Sequence, residues 1–301
     1  MERPRSASFR QLEPGQRSQL CIGNVDGREP IVVWESSKEL FEAPNWTPDG
    51  AWLVFNQEGD LYRIAPEPGG RPEKIQVAGD VAANNDHVLS PDGSTIHISA
   101  TDGHLYSVPL LGGTPVRVSN VRERRFIYYL HGVSPDGATL VYVAVQRDRE
   151  DRPSPINVYT IPSRGGPDTR LTDWRYNDDG PEYTPDGEWI YFNSEYGSDA
   201  PGHAQICRIR PDRSGVARVT GDERVNWFPH PSPDGELILY LSFPPGTQGH
   251  PANKHVALRL MRPDGADQRD LVWLNGGQGT TNVNGWAPDS RRFAYVAYPV
   301  G

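Results

Sequence analysis

No stretch of this chain is apolar for long enough to cross a bilayer, and residues 1–17 are polar and Arg-rich, without the apolar core of a secretion signal. That pattern predicts a cytoplasmic protein with a flexible N-terminal tail over 1–17, or a periplasmic one from which a leader has been removed. Positive charge is in deficit, with 30 Lys and Arg against 39 Asp and Glu and a formal net charge of −9. A surface of that sign excludes a general nucleic-acid partner and insertion into an anionic membrane. Enzyme signatures are missing as well: there is no Gly-x-Ser-x-Gly elbow, Walker loop or dinucleotide fingerprint. Gly276-Gly277-Gln278-Gly279 lacks the following Lys and helix that would make it a phosphate loop. Cysteine is nearly absent, and Cys21 and Cys207 acquire a meaning only within the repeat that organises the chain.

That repeat is a small residue followed by Pro-Asp-Gly, ahead of an apolar run. It occurs at Thr47–Gly50, Ser90–Gly93, Ser134–Gly137, Thr184–Gly187 and Ser232–Gly235, with the variant Ala287-Pro288-Asp289-Ser290. The Asp positions 49, 92, 136, 186, 234 and 289 are separated by 43, 44, 50, 48 and 55 residues, close to the period of about 40–50 expected of four-stranded propeller blades. Pro presets φ at the first corner of a type I turn, Asp tolerates the second, and Gly takes the left-handed position that returns the chain antiparallel. Ser290 already stands in that last slot, so Ser290→Gly is expected to be neutral or slightly stabilising.

Each turn precedes a run rich in β-branched and aromatic residues, such as Trp52-Leu53-Val54-Phe55 and Trp189-Ile190-Tyr191-Phe192. A third strand follows, as in Asp60–Ile64 or Gln205–Ile209, and then a fourth, as in Glu73-Lys74-Ile75. After the last turn the third and fourth strands are missing. Their patterns occur at the other end of the chain, in Gln19-Leu20-Cys21-Ile22-Gly23 and Ile31-Val32-Val33-Trp34. The predicted fold is therefore all-β: one six-bladed propeller over 18–301, its sixth blade closed by N-terminal plus C-terminal strands with no open edge between the ends. Cys21 and Cys207 fill the same strand slot in blades six and four, too far apart for a disulfide, and read as small buried hydrophobes.

In this repeat the chain resembles the TolB-like β-propeller family, whose WD40-like units carry the Pro-Asp-Gly element. The resemblance covers roughly 18–301 and implies the fold more strongly than any activity.

Function is sought on the face opposite the turns. Long second-to-third-strand connections gather there over 146–156, 195–204 and 243–255, the arrangement of a binding rim. Residues leading into the inner strands should ring the channel mouth, and the candidate ligand-binding groups are His87, His131, Asp179, Glu182, Asn226, His230, Gln278 and Asn282. Imidazole, carboxylate and carboxamide groups of this kind suit a polar ligand or a divalent cation, the one cofactor the channel would hold. Oligogalacturonate lyases, which are related propellers, bind a divalent metal through channel His residues and a Gln. That similarity implies His87, His131, His230 and Gln278 as metal ligands, although the closely spaced His pair of the lyases is absent. Two readings stand: a non-catalytic propeller binding a protein segment or a small polar ligand, carbohydrate included, and a metal-assisted carbohydrate lyase or hydrolase. His230, between two Gly- and Pro-rich loops, is the preferred centre, and His230→Ala is expected to weaken uptake while leaving the melting temperature nearly unchanged.

Overall fold

Five antiparallel four-stranded sheets and one of three strands stand around an axis in the computed structural model, which describes residues 9–122, 125–147, 154–198 and 200–301. The inner strands of blades one to five are Phe41–Trp46, Ala83–Leu89, Phe126–Val133, Asp178–Tyr183 and Val225–Pro231, and in each blade the following strands stack outward in sequence order. Blade six is built from both ends: Ser18–Asn24 pairs with Arg292–Ala297 on one side and with Ile31–Ser36 on the other. Its inner strand departs from the expected pattern. Residues 280–287 touch Arg292–Ala297 through a few bonds only, Thr280 O to Val296 N at 3.0 Å, Gly285 O to Ala294 N at 2.7 Å and Ala287 N to Arg292 O at 2.8 Å.

The turns show why their first residue carries a hydroxyl. Thr47, Ser90, Ser134, Thr184 and Ser232 each donate to the carboxylate of the Asp two residues on, at 2.5–2.6 Å. Each also accepts the backbone N–H five residues on, at 2.9–3.0 Å. The same carboxylates accept a second backbone N–H, and the hydroxyl bond, the largest cause, helps hold Asp92 down at about 2. The glycines have φ between +68° and +74°, and Ser290 has +56°.

Successive turns also interlock. A Cβ built on Gly93 would lie 3.4 Å from Pro48 Cδ, and Gly137, Gly187, Gly235 and Gly50 face Pro91, Pro135, Pro185 and Pro288 in the same way. In blade six the link takes another form: Ser290 Oγ accepts the Asp234 N–H at 3.0 Å. Six turns thus form a closed annulus, and the sixth link needs the Ser290 hydroxyl.

Between blades the core is aromatic, with Phe55, Tyr142, Phe192, Tyr240 and Tyr295 fully buried or nearly so. Cys21 and Cys207 are free and buried, as the repeat implies. Residues 9–17, assigned to a tail by sequence, pack on the seam between blades six and one. Gln16 is buried and donates to Tyr298 O at 3.2 Å, while the Arg10 guanidinium lies 4.0 Å above the Tyr298 ring. Residues 1–8 of that tail, 148–153 of the first rim loop and 199 of the second lie outside the described residues. No helix among the described residues is long and apolar enough to cross a membrane.

Urea titration will separate the roles of the turn residues. Gly137→Val, forcing a β-branched side chain to φ +71°, should cost about 1–3 kcal/mol. Ser290→Gly, contrary to the expectation from its slot alone, should cost about 0.5–1.5 kcal/mol through the lost bond to Asp234. Equal stability of Ser290→Gly and wild type would disprove the clasp.

Candidate functional site at the channel mouth

Which side chains reach the axis is decided by bulges. In blades one, four and five the inner strand slips register between Glu42 and Asn45, Asp179 and Glu182, and Trp227 and His230. The first unpaired residues there, Ala43, Gly180 and Phe228, have φ of 53°, 58° and 54°. Blade two slips between Ala83 and His87, and blade three between Leu130 and Gly132. A bulge re-aims every side chain before it. His87 and His131 share an offset from their turns, yet His87 is paired opposite Ile98, whereas His131 lies within its bulge. The His87 ring is fully buried between blades, Nε2 facing Val54 O at 3.5 Å, and burial pushes it down to about 4. Asp86, one residue earlier, lines the mouth instead.

The channel is closed at mid-height by the irregular inner segment of blade six. Thr280, Thr281, Asn282 and Val283 are buried, and Gly279 N–H donates to Asn282 Oδ1 at 2.9 Å, which folds the segment back on itself. His131 Nδ1 of blade three reaches Asn282 O of blade six at 3.3 Å. Blades three and six are opposite in a six-membered ring, so this contact spans the axis. His230 of blade five ties both neighbouring blades together, with Nε2 on Thr281 O at 2.7 Å and Nδ1 on Glu182 Oε2 at 2.6 Å. Asn284 Nδ2 donates to the other Glu182 oxygen, and the Trp286 indole N–H donates to His230 O at 2.9 Å.

Above this plug a cavity of about 280 Å³ is lined on one side by Asn85, Asp86, His131, Asp179, Gln278 and Asn282. Tyr129, Val143, Val145, Ile156, Phe228 and His250 complete its wall. His131 Nε2 meets Asp179 Oδ1 at 2.9 Å. Burial alone would push this imidazole down, but the Asp179 bond and the Asp86 and Asp179 charges outweigh it and hold it up at about 9. Asp179 correspondingly lies below the carboxylate range despite its burial. His250, on the 243–255 loop, stacks against Trp227 and Phe228 at 4.6 and 5.2 Å and approaches Asp179 Oδ2 to 3.7 Å. A neighbouring cavity of about 710 Å³ shares Asn85, Tyr129 and Gln278 as lining, so the two adjoin.

Of the candidates named from sequence, His131, Asp179, Gln278 and Asn282 converge on the mouth. Glu182 and His230 lie in and below the plug. His87 is between blades, and Asn226, fully buried, is bonded to Gln205, Thr220, Asp222 and Ser242. The metal set does not fit: His87 points away, both nitrogens of His131 and of His230 face acceptors, and no three His, Cys, Asp or Glu among the described residues are grouped to hold a cation. Tyr129, Phe228 and His250 join the mouth without having been chosen from sequence. For Phe228 and His250 a signal existed in the Gly- and Pro-shaped segments that carry them.

Two outcomes follow from the plug. His230→Ala should lower the melting temperature by several degrees, reversing the expectation of a silent substitution, because Glu182 and Thr281 O lose a buried partner. Calorimetry showing no shift would remove the plug from the fold's stability. For His131, a pKa raised above the unfolded value means stabilisation complete below about pH 6.5 and lost as pH rises through about 9. The melting-temperature gap between wild type and His131→Gln should therefore shrink between pH 6 and 9.5; a constant gap would contradict a charged His131.

Comparison with known proteins agrees with this architecture. A TolB β-propeller (PD40) domain profile matches residues 132–253. An uncharacterized protein of Agrobacterium fabrum is 40% identical over 286 residues, which is 94% of this chain and 92% of that one. A solved structure described as a putative TolB from Agrobacterium tumefaciens is 40% identical with a TM-score of 0.84, covering 94% of this chain and 99% of that one. The Tol-Pal system protein TolB of Francisella tularensis is 23% identical over 282 residues; the match takes in 91% of this chain but 60% of that relative. With six turn-linked blades and a relative this similar along nearly its whole length, the chain belongs to the TolB-like family of six-bladed β-propellers.

Proposed function

We propose that this propeller is a non-catalytic receptor that takes up a protein segment or a small polar ligand at the channel-mouth face. The observation that carries this reading is the mouth cavity of about 280 Å³, bounded by Gln278 and Asn282 of the segment that His131 ties across the axis, and adjoined by a cavity of about 710 Å³. A rigid ring holds the lining groups in place before a ligand arrives, so little ordering cost accompanies binding. The mismatch of the His residues with a metal site weighs against the lyase or hydrolase alternative. The Francisella relative is named for the Tol-Pal system, and docking of a protein partner is carried over from that name as a proposal, as is the cytoplasmic compartment expected from the N-terminal sequence.

A photo-crosslinking residue placed at Tyr129 in the mouth, and separately at exposed Trp273 on the outer strand of blade five, tests the reading in intact cells. The Tyr129 derivative should form a discrete adduct that the Trp273 derivative lacks, and fractionation of the same cells reports the compartment. Equal labelling at both positions, or none at Tyr129, would refute the mouth as the binding face.

A further inference from the structure

The mouth cavity holds two carboxylates, Asp86 and Asp179, around one imidazolium, His131. Asp179 is matched by His131 at 2.9 Å. Asp86 is only 4% exposed, and no Lys, Arg or His stands within ion-pairing distance of it among the described residues. Its carboxylate accepts from Asn84 Nδ2, at 3.1 Å from Oδ2, and has Asn282 as a further hydrogen-bond partner. Burying a carboxylate without a direct ion pair is unfavourable, and burial raises the Asp86 carboxyl against the opposing charges of His131 and His250. A second group is also unmatched: Asn85 Nδ2 is buried without a hydrogen-bond partner, in a side chain that lines the same cavity and belongs to a residue 8% exposed. Much of the remaining wall, Val143, Val145, Ile156 and the Tyr129 ring, is apolar.

We propose that the mouth cavity receives an aliphatic primary ammonium group, with Asp86 as its counter-ion and the Tyr129, Val145 and Ile156 wall packing its methylene stem. This rests on the reading of the mouth as the binding face and names the chemistry recognised there. An ammonium suits the site better than a guanidinium. One Asp86 oxygen is already engaged by Asn84, leaving a point contact and not the parallel pair that a guanidinium fork prefers. Asn282 Oδ1 and Gln278 Oε1 each accept one bond, from Gly279 N–H and Asn282 Nδ2, and each keeps a second lone pair for the remaining N–H groups. A lysine side chain and a free diamine share this chemistry. The unmatched Asn85 N–H favours the lysine of a protein segment, which brings a backbone carbonyl that a diamine lacks.

Saturation-transfer NMR titrations of the full chain will test the assignment with Nα-acetyl-L-lysine N-methylamide, its Nε-acetyl derivative, the norleucine analogue and cadaverine. The lysine amide should bind with Kd of about 1 mM, as expected for a ligand of that size, and the two uncharged analogues should not. Asp86→Asn should weaken it by about tenfold or more. Ile156→Lys, which brings a resident ammonium to the cavity wall, should do the same while melting with wild type. Cadaverine binding as tightly as the lysine amide would support the ammonium site and assign its source to free amines. Equal binding of the lysine and norleucine amides, unchanged affinity in both variants, or no binding by any amine would overturn the proposal. A photo-adduct at Tyr129 would survive each of those results, so the wider reading fails separately.

Discussion

A hydroxyl, a carboxylate and two backbone N–H groups, repeated in five of six turns, fix the geometry on which the ring depends. Each unit shapes its own hairpin, but contact between one turn's glycine and the preceding turn's proline makes the units a ring. Glycine is favoured at these positions by its positive φ, and the proline ring of the preceding turn lies at van der Waals distance from where a Cβ would stand. Blade six has neither the hydroxyl at Ala287 nor the glycine. It compensates with Asp289, which accepts the backbone N–H groups of Arg291 and Arg292, and with the Ser290 hydroxyl bonded to Asp234 N.

The turn annulus organises one face, and the plug organises the interior. Residues 280–283 give up a regular strand and in exchange supply backbone carbonyls on the axis, where His131 and His230 donate to them from blades three and five. Two imidazoles that look like ligands therefore act as cross-braces. Their carboxylate partners, Asp179 and Glu182, both come from blade four, on either side of the bulge at Gly180. The floor of the mouth is thus charged and internally bonded, and Asp86, the second carboxylate beside His131, is the one with no direct ion pair among the described residues.

The blades were legible because turn chemistry and strand periodicity are local and repeat six times. Closure could be read too, since the missing strands of blade six had to lie at Ser18–Asn24 and Ile31–Ser36. Direction at the axis was not legible. Equal offsets from a turn imply equal orientation only if register is unbroken, and the bulge falls at a different place in blade two than in blade three. His87 was therefore expected at the mouth, whereas its ring lies between blades. The plug was hidden for another reason: Gly279, Thr280 and Thr281 carry no strand or helix pattern, and their position depends on Tyr298, Glu42 and the far blades. His250 belongs to the same class, because a rim loop's landing point is set by Trp227 and Phe228 rather than by its own sequence.

Pairing of Ser18–Asn24 with Arg292–Ala297 sets a clock on biosynthesis. The first of these strands leaves the ribosome some 270 residues before its partner, an interval of about 15–55 s at ordinary elongation rates. Throughout that time the early hairpin, Ser18–Asn24 with Ile31–Ser36, has one edge open, and a lone two-stranded hairpin is marginal in water. Blades one to five can assemble in order as they emerge, but the annulus cannot lock until translation reaches the last strand. Emergence of Arg292–Ala297, far from the first strand in the chain, therefore times the appearance of the mouth.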